Sequence, residues 1–228
     1  MIQIFLKVNC TQYVLNHKFF FVRHGVTDWN QTRRFQGHQD VPLNTVGRNQ
    51  ALLTAKYLRN VNFDRIYTSD LSRARETAEI IWKYQTETSL HETKELREGY
   101  GAELEGKVFG KRLGKSEIHS LNSLRSLVKN HGESLEEVFE RTKSAITRIV
   151  NSLDKDSTIA VVSHGGPIRL FLGFVKGVKH SDIIGMKLGN CSITEIRYKE
   201  DTWNIEELNF TDHLGEFHSK KIVSKLAR

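Results

Sequence analysis

Two histidines, each followed by glycine, could do chemistry together: His24 in Arg23-His24-Gly25 and His164 in Ser163-His164-Gly165-Gly166. An imidazole with an ordinary pKa of about 6.5 is substantially neutral at physiological pH. It can therefore act as a nucleophile, while a second imidazole beside it donates a proton. Arg23 adjoins the first histidine, and Arg73 follows in Ser69-Asp70-Leu71-Ser72-Arg73. Guanidinium groups present planar forks of donors that match phosphate oxygens. Two imidazoles and two guanidiniums on one rim would bind a phosphoryl group and could take it onto nitrogen, with the arginines holding the equatorial oxygens. A departing alkoxide also needs an acid, and Glu95-Leu96-Arg97-Glu98 offers two. A carboxyl buried beside phosphate is pushed toward its protonated form, which suits a general acid that later activates water.

For these residues to meet, the elements that carry them must end on the same side. Lys18 to Val22 is an apolar run of strand length that stops at Arg23, and Ile159 to Val162 is another that stops at Ser163. Open α/β sheets place ligand crevices at such carboxyl ends. Gly25 is expected to let the chain turn away sharply. After a polar loop from Asp28 to Asp40, Asn44 caps a helix through Ala51, Leu52, Ala55 and Leu58. Phe63 to Thr68 reads as a strand, and Ser69 or Asp70 as the cap of the next helix. Ser134 and Glu137 form a capping box ahead of an apolar face running from Leu135 to Leu153. A helix with Pro167 as its first residue follows the second His-Gly, its amino end an added attraction for an anion. Ile193 to Tyr198 and Trp203 to Leu208 read as a closing hairpin. The alternation predicts an α/β fold: a three-layer α/β/α sandwich with a mostly parallel central sheet and a small inserted cap. The expected division is an N-terminal extension over 1–17, one domain over 18–214 with the cap at about 99–131, and a basic tail over 215–228.

The totals narrow the class. A chain of 228 residues suits one sizeable core. Only Cys10 and Cys191 are present, so no disulfide framework or cysteine-rich zinc site is indicated; the two could pair, but a reduced, cytoplasmic protein is the simpler expectation. No run approaches the roughly 20 apolar residues of a membrane span, and Met1 to His17 does not read as a signal peptide. The net charge of +7 is uneven. Lys107, Lys111, Arg112, Lys115, Arg125 and Lys129 face only Glu117, and Lys220, Lys221, Lys225 and Arg228 crowd the end. Lying in the cap, the first cluster is expected to draw anionic substrates in. The remaining histidines show no metal-ligand spacing.

In order along the chain, Arg23-His24-Gly25-x-Thr27-x-x-Asn30, Asp40-x-Pro42-Leu43-Asn44-x-x-Gly47-x-x-Gln50-Ala51 and Ser69-Asp70-Leu71-x-Arg73-Ala74-x-x-Thr77-Ala78 are followed by Leu96-Arg97-Glu98, Glu105-Gly106, Gly132-Glu133-Ser134, Ser163-His164-Gly165-Gly166-x-Ile168-Arg169 and Asn190-Cys191-Ser192-Ile193-Thr194. These blocks resemble the histidine phosphatase superfamily, the phosphoglycerate-mutase-like proteins, over roughly residues 18 to 214. The resemblance implies His24 as the phosphorylated nucleophile, with Arg23, Arg73 and His164 around the phosphoryl group and Glu98 as proton donor. Asn30, Gln36, Gly37 and Gly165 match positions that touch phosphate or substrate. It implies no metal and no cofactor. Gly132-Glu133-Ser134 and Asn190-Cys191-Ser192 look more like the phosphatase branch than the mutase branch. Two departures stand out. Gly99-Tyr100-Gly101 is one residue out of step, which leaves Glu95 as a second candidate acid, and the insertion after Gly106 is short.

The expected activity is metal-independent hydrolysis of phosphate monoesters through phospho-His24. The expected partner is a phosphorylated small molecule, not a membrane or a nucleic acid, and a homodimer is compatible with the sequence. One rival is a phosphoglycerate-type mutase that returns the phosphoryl group to its substrate. Another is a non-catalytic binding protein on the same fold, suggested by the pI of about 9.4.

Overall fold

The computed structural model describes residues 14–108 and 132–217. Its centre is the strand with the strongest apolar run, β1 (Asn16–Arg23). With β2 (Arg65–Ser69), β3 (Ser89–Thr93), β4 (Thr158–Ser163), β5 (Ile193–Lys199) and β6 (Thr202–Phe210) it forms one sheet, in the order β3-β2-β4-β1-β5-β6. The first four in that order run parallel; β5 and β6 are antiparallel additions on the other side of β1.

Phe19 and Phe21 of β1 pack with Ile159 and Val161 of β4 beneath α4 (Leu135–Asn151) and α5 (Gly165–Val175). Phe20 and Val22 pack with Ala160 and Val162 against α2 (Thr45–Leu58) and α3 (Ser72–Trp82). Successive strand residues point to opposite faces, so helices on both sides leave no polar positions, and these strands read as unbroken apolar runs. The result is the three-layer sandwich expected. Phe21 is 2% exposed and stacks on Phe171 at 5.2 Å. Truncating it to alanine would remove about 3–5 kcal/mol.

Local signals hold in some places and yield in others. Asn44 accepts from Gly47 N–H to cap α2, and Ser134 with Glu137 makes the capping box of α4. However, neither Ser69 nor Asp70 caps α3: Leu71 occupies that position, and the Ser72 N–H is taken by Asp40 from across the loop at 2.6 Å. The helix after His164 starts at Gly165, so Pro167 is its third residue, still within the turn where a missing N–H breaks no helical bond. The loop after Thr27 contains a short helix, α1 (Asp28–Gln31), closed by a Thr27–Asn30 capping box. The edge strand β3 has half-exposed and exposed positions and gives little periodicity to read. Asn16 and His17, assigned to the extension by sequence, begin β1, paired with Lys199 and Tyr198. At the other end, Asp212–Phe217 forms a 3-10 turn whose Phe217 carbonyl accepts from Gln50. Cys10, most of the basic insertion and residues 218–228 of the basic tail lie outside the described residues.

Candidate active site

Strand register builds the floor of the site. In the parallel β1–β4 ladder Arg23 stands opposite Ser163, so the next residues, His24 and His164, leave the sheet side by side. The His24 N–H donates to the Ser163 carbonyl at 2.9 Å, and the two imidazole centroids lie 5.1 Å apart. β2 ends one strand over, where Ser69 Oγ meets His164 Nε2 at 2.8 Å. A turn later α3 brings in Arg73. Close approach rather than a special backbone angle requires Gly25: a Cβ there would lie 2.6 Å from the Gly47 carbonyl at the start of α2.

Burial sets the electrostatics of this floor. Arg73 is fully enclosed; its guanidinium donates to the carbonyls of Gln39 and Gly37, each at 2.8 Å. Burial pushes its pKa down to about 10, with Glu98, Asp40 and Glu105 opposing, so it stays charged at neutral pH. Arg73 Nε, His164 Nδ1 and Ser72 Oγ are buried without a hydrogen-bond partner among the described residues. Arg23 Nη1 donates to the Leu188 carbonyl at 2.6 Å. His24 is held well below its ordinary 6.5, first by burial and then by Arg73 and Arg23. His164 is lowered likewise, by burial and then by Arg73, His24 and Arg23. Both imidazoles are therefore neutral at physiological pH. His24 Nδ1 lies 2.7 Å from the Gly25 carbonyl, which can only accept, so Nδ1 carries the hydrogen and Nε2 the lone pair.

The loop after β1 locks this arrangement. Thr27 Oγ1 reaches the side-chain oxygens of Gln36 at 3.0 Å and Asn30 at 3.2 Å. Asn190 Nδ2 donates to the His24 carbonyl at 3.0 Å and also reaches Gly25 and Asn30. The oxygens of Asn30 and Gln36 thus face inward, and Gly37 contributes its carbonyl to Arg73.

The two candidate acids separate. Glu95 is paired with Arg148 on the outer surface. Glu98 points back to the rim: its carboxylate accepts from Gly166 N–H at 3.1 Å and from Gly99 N–H at 3.0 Å. The amide at the start of α5, expected to attract an anionic ligand, is instead donated to Glu98. A Cβ on Gly166 would collide with the Glu98 carboxylate. Gly165 adjoins it, with the Arg169 guanidinium where a Cβ would project.

A family model for the histidine phosphatase superfamily (branch 1) matches residues 19–211. The chain belongs to that superfamily. It is 31% identical over 196 residues to an uncharacterised phosphatase, PhoE, of Bacillus subtilis, covering 86% of this chain and 96% of the relative. It is 34% identical over 201 residues to phosphoglycerate mutase-like protein 4 of Arabidopsis thaliana, covering 86% of each. Among solved structures, YhfR of Bacillus stearothermophilus superposes with a TM-score of 0.76 at 27% identity, covering 87% of this chain and 99% of that one. A phosphoserine phosphatase mutant from Entamoeba histolytica, in complex with phosphoserine, gives 0.74 at 26%, with 87% and 99% covered. The chain is thus a phosphatase- or phosphoglycerate-mutase-like enzyme by family.

Two residues that the motif blocks contain without a role, Thr77 and Gln50, support this candidate site. Thr77 Oγ1 accepts from the Gly25 N–H at 3.1 Å, and Gln50 Oε1 accepts from Val26 at 3.0 Å. Neither role could be read locally, since the partners lie 52 and 24 residues away in sequence. The Thr27–Asn30 pair, three residues apart before a short helix, forms a capping box. No helix among the described residues is long and apolar enough to cross a membrane.

Proposed function

We propose that this chain is a metal-independent phosphatase that hydrolyses small phosphate monoesters through a phosphohistidine on His24. The observation that carries this reading is the fixed tautomer of His24, its Nε2 lone pair free beside His164 and the buried Arg73 charge. His24 Nε2 attacks phosphorus in line while the ester P–O bond breaks. Arg23 and Arg73 hold the equatorial oxygens, and a hydrogen bond from His164 stabilises the transferring group. Glu98 gives its proton to the departing alcohol oxygen; as carboxylate it then takes a proton from water, whose oxygen attacks phospho-His24. Inorganic phosphate leaves, and His24 and protonated Glu98 are restored.

The test is hydrolysis of a panel of phosphorylated metabolites in EDTA, with rapid quenching to trap labelled phosphate. Label is expected on His24, and His24→Ala should lose at least about 10⁴-fold in kcat. Turnover without label on His24, or turnover abolished by EDTA, would sink the reading. A mutase reading is supported by the similarity to a phosphoglycerate mutase-like plant protein. It requires that activity depend on a bisphosphate primer.

A further inference from the structure

We propose that Arg141, held by Glu133, is a positioning residue that fixes where Glu98 stands; this rests on the reading of Glu98 as the proton donor. Residues 97–100 belong to no helix or strand, so their polar backbone groups have no ladder to join. Arg141, on α4, supplies what the ladder does not. Its Nη1 donates to the carbonyls of Glu95 and Arg97, each at 2.7 Å. Its Nη2 donates to the Glu98 carbonyl at 2.9 Å and to Glu133 Oε2 at 2.8 Å, and Nε to Glu133 Oε1 at 2.6 Å. A guanidinium has five N–H donors, and all five are used here. Arg141 therefore has no donor left for a phosphoryl oxygen, and its work is to grip three carbonyls of the segment that ends in Glu98.

Glu133 completes the grip from the other side. The same Oε2 accepts from the Tyr100 N–H at 2.8 Å, and the Glu133 N–H returns a bond to the Tyr100 carbonyl at 2.8 Å. Gly132, at φ +67, permits this approach, because a Cβ there would strike the Tyr100 carbonyl. The chain is thus tied at 95, 97 and 98 by the guanidinium and at 100 by its carboxylate partner, with His38 Nε2 adding a bond to the Glu98 carbonyl at 2.9 Å. A lysine at 141 would keep the charge as a point and could not span carbonyls three residues apart while gripping a carboxylate. Glu98 would then stand loosely, and misplacing a reacting group by about 1 Å can lower a rate by about 10²-fold.

A general acid matters in proportion to how badly the leaving group needs a proton. The test compares kcat/KM for an alkyl phosphate with that for 4-nitrophenyl phosphate, whose nitrophenolate departs unaided, in wild type, Glu98→Gln, Arg141→Lys and Glu133→Gln. Glu98→Gln is expected to lose about 10²–10⁴-fold on the alkyl ester and far less on the aryl ester. Arg141→Lys should show the same selectivity, about 10²-fold on the alkyl ester against at most about threefold on the aryl ester. Glu133→Gln preserves shape and loosens one side of the grip; it should show a smaller selective loss, about 10-fold, and reads the same question should Arg141→Lys not fold. If Glu98→Gln is selective but the Arg141 and Glu133 variants lose both substrates equally, the positioning role is overturned and the acid assignment stands. If Glu98→Gln itself is unselective, the acid assignment falls, and the inference with it.

Discussion

The floor of the candidate site and the segment that carries the proposed proton donor are built by opposite means. Arg23, His24, Ser69 and His164 leave a sheet whose register is fixed by apolar packing on both faces, so their relative positions follow from the core. Glu98 sits at the end of an irregular run held by side chains from three distant places: Arg141 on its carbonyls, Arg97 paired with Asp70, and Ser163 Oγ donating to the Leu96 carbonyl at 2.7 Å. A sheet rim resists displacement because moving one residue means moving a strand. A hydrogen-bonded loop can be shifted by removing a single donor. The nucleophile is therefore expected to be insensitive to mutations that displace the acid.

The largest break should come from the floor. Arg73→Lys replaces a buried fork by a point charge and leaves one of the two carbonyls it holds unpaired. It should lower kcat/KM by about 10²–10³-fold on alkyl and aryl phosphates alike. Gly166→Ala acts on the other region, since its methyl group takes the space of the Glu98 carboxylate. A loss of about 10²-fold is expected for alkyl esters only, and equal losses on both would erase the distinction between the regions.

With pH the buried histidines should part company with the carboxylates near Glu98; His38, bonded to the Glu98 carbonyl, belongs with the histidines, since burial lowers it too. Folded His24 and His164 lie well below 6.5, and His213, hydrogen-bonded to Thr54 on α2, is lowered by burial to about 4. Below about pH 6.5 the unfolded chain binds protons that the folded one refuses, so stability is full above that value and falls as pH drops. Glu133 and Asp70 behave differently. Burial raises Glu133, but the Arg141 bonds and the Tyr100 N–H outweigh it, and the Arg97 bonds lower Asp70. Their contribution is present above the ordinary 4.5 and 3.8 and is lost only at lower pH. Tm should thus fall by about 5 °C or more between pH 7 and pH 5 through the histidines. A flat Tm over that interval would mean that the fold is not holding these histidines neutral.

The smallest expected effect is Ser163→Ala. It leaves the buried Leu96 carbonyl without its donor and should cost about 1–2 kcal/mol, seen as about 2–6 °C in Tm. Its loss of activity should again be larger on alkyl esters, since Leu96 leads into Glu98.

What could be read from the chain alone follows from what each signal depends on. Apolar runs of strand length, each ending in His-Gly, mark β1 and β4, because a strand buried on both faces needs such a run whatever surrounds it. The caps at Asn44 and Ser134 are likewise local, since donor and acceptor lie three residues apart. The edge strand β3 was not legible: its residues are largely exposed and its pairing is the only thing that makes it a strand. Nor was the start of α3, where the first amide is satisfied by Asp40, 32 residues away in sequence.

The sequence by itself determined the layered fold and singled out His24, His164 and the two arginines as the candidate residues, since residue type and a short-range pattern suffice for each. Only the tertiary structure placed Glu98 at the rim and Glu95 on the outer surface, turned the start of α5 toward a carboxylate, and joined Glu133 and Arg141 to the segment that ends in Glu98. Those choices rest on hydrogen bonds between segments 8 to 68 residues apart, which no local pattern encodes.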